Sequence, residues 1–74
     1  MNSRSRTVRG LARRIGFDEV VWVRFIEEHD GLTCEAHGVR HRRPVTIPIS
    51  VASGRELQDA GCRTLLTRSV GAAS

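Results

Sequence analysis

Hydrophobic residues recur at helical spacing near the start of the chain. Four of them form one apolar stripe at positions i, i+3, i+4 and i+7: Val8, Leu11, Ala12 and Ile15. The stripe predicts a helix that begins after Thr7, a good N-cap residue, and ends at Gly16, a residue type common just after helices. We expect the stripe to pack on a sheet and the arginines of this helix to face solvent.

The segment at 19–28 has the β-branched and aromatic composition of a strand. Alternation predicts one face with Val21, Val23 and Phe25, and another with Val20, Trp22, Arg24 and Ile26. Because both faces hold apolar residues, the strand is expected in the middle of the sheet or covered on both sides. We expect Trp22 to pack beneath the first helix. If its face were open instead, Trp22 and Arg24 would form a stacking platform for nucleic-acid bases.

The later elements are marked by turn residues and by apolar alternation. They are predicted as a turn at 29–31, a strand at 32–38, a basic loop or irregular edge at 39–44, a strand at 45–49, a helix at 51–60 and a strand at 62–68. Pro48 cannot donate a hydrogen bond to a neighbouring strand, so the strand at 45–49 is expected at an edge of the sheet. Ser50 is a good N-cap residue for the helix that follows.

Together these elements predict an α+β fold with the order α-β-β-β-α-β. It would have a small mixed, mostly antiparallel sheet, one helix packed on the sheet and a basic N-terminal helix. A right-handed crossover would make the fourth strand parallel to the third and lead to the spatial order 4-1-2-3. The α-β-β-β-α part is similar to double-stranded-RNA-binding domains in element order alone, so no residue role follows. We expect one domain at 7–70, a flexible basic N-terminus at 1–6 and a frayed tail at 71–74.

Positive charge is concentrated at the start of the chain. Residues 1–17 contain five arginines and no acid, whereas residues 18–74 contain seven arginines and all eight acids. None of the twelve basic residues is lysine. Arginine suits bidentate phosphate contacts and base stacking, although a GC-rich bacterial or phage genome would produce the same bias. Such segregation of charge is typical of proteins that bind nucleic acid, an acidic protein or an anionic membrane.

Two basic regions, the N-terminal arm and the 40–43 loop, are candidate phosphate contacts. The predicted nucleic-acid-binding residues are Arg6, Arg9, Arg13, Arg14, Arg40, Arg42 and Arg43. If they share one surface, the protein would gain sequence-independent affinity that falls with salt. A solvated charge run without a partner is an equally good interpretation.

Neither a metal site nor a catalytic site is predicted. Cys34, His37, His41 and Cys62 have a zinc-like spacing, but alternation points Cys34 and His37 to opposite faces. The carboxylates near the 29–31 turn would be solvated, which is unfavourable for acid–base catalysis. We therefore expect no enzymatic activity, no cofactor and no small-molecule substrate.

The sequence as a whole predicts a small cytoplasmic binding protein. Two cysteines do not make a disulfide framework, and no apolar run approaches the ~20 residues of a membrane span. The expected partner is RNA, DNA or a ribonucleoprotein, contacted through the arginine-rich arm and the 40–43 loop. The alternative is a structural or regulatory interaction module, a homodimer or a subunit of a larger assembly, because two short helices cover little of the sheet.

Overall fold

The computed structural model describes residues 7–68. The predicted N-terminal segment at 1–6 and the tail at 71–74 lie outside these residues. The elements in chain order are α1 (Val8–Arg14), β1 (Glu19–Glu28), β2 (Gly31–Arg40), β3 (Arg43–Ile49), α2 (Val51–Asp59) and β4 (Arg63–Arg68). The predicted α+β class, with two helices and a mixed four-stranded sheet, is confirmed.

The sheet has the spatial order β3-β2-β1-β4. β2 pairs antiparallel with both β1 and β3, whereas β4 pairs parallel with β1 after the crossover through α2. β1 is therefore a central strand. β3 is an edge strand, as predicted from Pro48, because only an edge tolerates the missing donor.

Both helices pack on one face of the sheet and contact each other. Thr7 caps α1 by accepting a hydrogen bond from the Gly10 amide at 3.0 Å, and Ser50 caps α2 by accepting one from the Ser53 amide, also at 3.0 Å. The buried core lies between helices and sheet: Leu11, Ala12, Phe17, Val20, Val23, Phe25, Cys34, Ala36 and Leu57. Within residues 7–68, no helix is long and apolar enough to cross a membrane.

A β-bulge in β1 shows that the predicted facing of Val20 and Val21 was wrong. The register with β2 shifts between Val20 and Trp22. Val20 is 6% exposed and packs in the core, whereas Val21 is 45% exposed. A bulge adds one residue to a strand, so strict alternation fails there. Gly38 lies opposite, where a Cβ atom would overlap the β1 backbone.

The predicted basic loop at 39–44 is also wrong. β2 continues to Arg40 and β3 begins at Arg43, so His41 and Arg42 alone form the connection. Their φ angles are 52° and 66°, the left-handed conformation required at both central residues of a type I′ turn. The usual sequence signal for that turn is Asn-Gly, and its absence here made the tight hairpin look like a loop.

Candidate nucleic-acid interface

Arg40 connects the β2–β3 hairpin to the segment that follows α1. Its Nε donates a hydrogen bond to the carbonyl oxygen of Gly16 at 2.9 Å, and its guanidinium carbon lies 5.8 Å from the centre of the Phe17 ring. The backbone N–H of His41 donates to Oδ2 of Asp18, also at 2.9 Å. These contacts join the β2–β3 hairpin to the segment that directly follows α1.

The predicted binding residues differ in their accessibility. Five of them are exposed: Arg9, Arg13, Arg14, Arg42 and Arg43. Arg40 is half-buried and hydrogen-bonded to Gly16, so it holds the hairpin in place. Arg6 lies outside the described residues.

Positive charge is unevenly distributed among the described residues. We define the basic end as residues 7–19 together with 40–43. It contains six arginines and two acids, whereas the other described residues contain four arginines and six acids. The tertiary structure therefore keeps the charge segregation seen along the chain and adds the hairpin arginines to it.

The prediction that Trp22 packs beneath the first helix is wrong. Trp22 lies on the face of the sheet opposite α1 and α2, which we call the open face, because alternation sets it against Val23 and both helices cover the Val23 side. Val8, Leu11 and Ile15 pack instead on the core between helices and sheet.

Trp22 stacks on a neighbour in the adjacent strand. Its ring centre lies 4.7 Å from that of His37, with 12° between the planes. The guanidinium carbon of Arg24 lies 4.8 Å from the Trp22 ring centre, within cation–π range. Nδ1 of His37 and Oγ1 of Thr46 share a hydrogen bond at 2.8 Å. The side chains of three strands thus support one another.

Strand pairing extends this arrangement across the whole sheet. Thr46 pairs with His37, His37 with Trp22, and Trp22 with Arg63. We call these four residues the aromatic row. Arg63 is exposed at the β4 end of the row, and the row contains no acid.

Arg24 borders the aromatic row and is incompletely paired. Its Nη1 lies 3.6 Å from Oε2 of Glu35, a long salt bridge, and its buried Nε has no hydrogen-bond partner. An unpaired buried donor normally costs free energy. Arg24 therefore lies between Trp22 and Glu35 with one donor buried and unsatisfied.

The residues of the zinc-like spacing are kept apart by the fold. Cys34 is 3% exposed in the core, whereas His37 lies on the open face. Burial raises the pKa of the Cys34 thiol, and burial likewise raises the pKa of Cys62. Among the described residues, no group of three or more His, Cys, Asp and Glu side chains could hold a metal ion.

Most of the aromatic row was not predicted from the sequence. Trp22 and Arg24 were expected to stack on bases only if their face was open, and no role was predicted for Thr46 or Arg63. Those residues are far apart in the chain and meet only through strand register. The predicted strand order and side-chain alternation together could have placed these residues side by side. The bulge in β1 shifts the register by one residue, and the sequence pattern does not show it.

No protein-family model matches this chain, and no curated protein or solved structure matches it either. What the basic end and the open face bind is therefore inferred from their own chemistry.

Proposed function

We propose that this protein is a non-enzymatic nucleic-acid-binding module that contacts RNA or DNA, free or in a ribonucleoprotein, through the basic end. The observation that carries this proposal is the hydrogen bond from Arg40 to Gly16. It joins the hairpin that carries Arg42 and Arg43 to the segment that directly follows α1. In this proposal α1 is a basic helix, and Arg6, which precedes it in the sequence, also contacts phosphate. The protein works in the cytoplasm of a bacterium or in a phage-infected cell.

Arginine chemistry supports this assignment. Guanidinium groups bind phosphate oxygens in a bidentate manner and remain charged at all physiological pH values. Contacts to the phosphate backbone position a protein without reading base sequence. Five exposed guanidiniums at one end of a small domain suit that kind of binding.

The backbone of the hairpin supports it further. His41 and Arg42 both have positive φ, which costs roughly 1–2 kcal/mol per L-residue. Asn-Gly would relieve this cost in the same turn. Backbone strain of this kind is concentrated at functional sites. Here the strained residues form the tip of the hairpin, where Arg42 is exposed.

Fluorescence anisotropy of labelled oligonucleotides tests the proposal. Five phosphate contacts to a single strand would make affinity fall roughly 100-fold between about 50 and 200 mM salt, since each contact contributes about 0.7 to the logarithmic slope. The double variant Arg42→Gln/Arg43→Gln should bind more weakly, with a slope smaller by about 1.4. Arg55→Gln/Arg68→Gln removes equal charge outside the basic end and should change affinity much less. Equal effects of the two double variants, or no binding at low salt, would overturn the proposal.

A second candidate function is self-assembly. β4 pairs on one side only within the described residues, and it contains no proline, unlike β3. Leu66 on this strand is 65% exposed. Uncovered edges of this kind pair with other chains, so a second copy would continue the sheet at β4. Light scattering at micromolar concentration should then report twice the 8.2 kDa of one chain, and Leu66→Lys should halve that mass. A single-chain mass for the unaltered protein would exclude this candidate.

A further inference from the structure

We propose that the open face binds single-stranded nucleic acid by stacking bases at the aromatic row. This inference rests on the proposed function and assigns it a ligand class. The basic end would hold the phosphates, and the aromatic row would engage the bases of the same strand.

The distribution of aromatic rings favours base stacking. Phe17 and Phe25 are 2% and 7% exposed in the core, whereas Trp22 and His37 are partly exposed and stacked together on the open face. Base–aromatic stacking is tolerant of sequence because every base has a π-face. Trp22 and His37 thus form a stacked pair on a face that no helix covers within residues 7–68, and a base would extend this stack.

Charge complementarity favours nucleic acid over an apolar partner. Arg63 is exposed beside Trp22, and Arg24 lies over the Trp22 ring. The neighbouring acid, Glu35, is offset by its long salt bridge to Arg24. An exposed cation beside stacked rings is a combination that binds single strands in general.

The position of the row favours a single strand over a duplex. Base faces are accessible in a single strand, whereas in a duplex they are stacked on one another. From His37 the β2 strand runs four residues to the hairpin tip, roughly 13 Å at the usual rise per residue. One flexible strand can therefore contact both the aromatic row and Arg42.

Trp22 itself reports the predicted contact. It is the only tryptophan, and the chain has no tyrosine, so intrinsic emission comes from this ring. Titration with oligo-dT, oligo-U and a duplex of equal length should quench Trp22 with both single strands and much less with the duplex. The two single-stranded arms also show whether DNA or RNA is preferred.

Substitutions make the test quantitative. Trp22→Ala should weaken single-strand binding roughly 5- to 150-fold in anisotropy, the range measured for loss of one base stack. Gln58→Ala, a truncation of an exposed side chain on α2, should leave affinity within about twofold. Arg63→Gln should weaken binding more than Arg55→Gln on α2. Circular dichroism will show whether Trp22→Ala is folded. If it is unfolded, two other variants replace it: Trp22→Phe should retain most of the affinity, and Arg63→Gln should weaken binding.

The outcomes separate this inference from the proposed function. Binding that depends on Arg42 and Arg43 without quenching of Trp22 would overturn the inference and leave the proposed function standing. If the unaltered protein binds none of the oligonucleotides, both this inference and the proposed function are overturned. A concentration-dependent change in Trp22 emission of the protein alone, with a doubled mass, would show that a second copy occupies the open face and would also overturn the inference.

Discussion

The Nε of Arg40 donates a hydrogen bond to the carbonyl oxygen of Gly16, 24 residues earlier in the chain. Arg40 thereby couples an arginine-bearing hairpin to the end of an arginine-bearing helix. Its guanidinium also lies over the Phe17 ring at 5.8 Å. One side chain of the basic end is thus structural, and its neighbours Arg42 and Arg43 stay exposed for a ligand.

Replacing Arg40 should loosen the basic end. Arg40→Gln removes the hydrogen bond to Gly16 and the contact with Phe17, and we expect a loss of about 1 kcal/mol, the typical value for a partly exposed bond. Hydrogen exchange should become faster at the Asp18 amide, which donates to Val39 across the same junction. Arg42→Gln removes the same charge without this contact and should leave both properties unchanged. Equal protection of Asp18 in the two variants would argue against the coupling.

A methyl group at Gly38 should disrupt the centre of the sheet. Its Cβ would overlap the carbonyl oxygen of Glu19 and lie 2.8 Å from Cα of Val20. Both neighbours are backbone atoms and cannot rotate away, so Gly38→Ala should cost at least about 2 kcal/mol, within the range for overpacking. Urea unfolding measures the change. Gly31→Ala is the matched control, because no atom lies within 4 Å of its Cβ position, and a similar loss there would contradict the explanation.

Asn-Gly in place of His41-Arg42 should stabilise the protein and weaken its binding. Both positions have positive φ. The pair preferred in type I′ turns should raise the free energy of unfolding by roughly 1–2 kcal/mol, the cost that glycine removes at position 42. Affinity for oligonucleotides should fall because Arg42 is lost. The control is Asn-Gly in place of His29-Asp30, a turn whose two residues have no positive φ. This variant should not raise the free energy of unfolding, which urea unfolding measures for both variants. Unchanged stability at both turns would show that the hairpin is unstrained.

Stability should fall in alkaline solution because of the two thiols. Burial raises the pKa of Cys34 and of Cys62 above the ordinary value of 9.0. Below that value both thiols are protonated whether the chain is folded or not, and stability is constant. Above it the unfolded chain loses its protons first, so folding weakens as pH rises toward the folded-state pKa values.

The composition of the chain makes this effect easy to isolate. With no lysine and no tyrosine, cysteine is the only side-chain type that titrates between about pH 9 and 11. Urea midpoints at about pH 8.5 and 10.5 should differ for the unaltered protein. They should coincide for Cys34→Ala/Cys62→Ala, even if that variant is less stable overall. An equal fall in the variant would assign the effect to another group.

Local patterns predicted the elements themselves because the signals are short in range. The helical spacing from Val8 to Ile15 coincides with α1, in which Leu11 and Ala12 are buried. Alternation in β3 correctly predicted that Val45, Ile47 and Ile49 share one face of the strand and that Pro48 lies on the other. The N-cap role of Ser50 also follows from its side-chain chemistry alone.

Long-range pairing was needed wherever the predictions failed. The bulge at Val20–Trp22 lies where β1 closely approaches Gly38 in β2, and no local pattern contains that approach. The two-residue turn at His41-Arg42 is imposed by continued pairing of β2 with β3, which outweighs the unfavourable φ of both residues.

By itself the sequence determined the α+β class, the uneven charge and most element boundaries, because propensity, periodicity and composition depend on neighbouring residues. Only the tertiary structure decided that Trp22 faces away from both helices, that His37 and Arg63 lie beside it, and that Arg40 bonds to Gly16. Those relationships depend on which side of the sheet the helices cover and on the register between distant strands. Both are set by packing of the whole core, and no single segment encodes them.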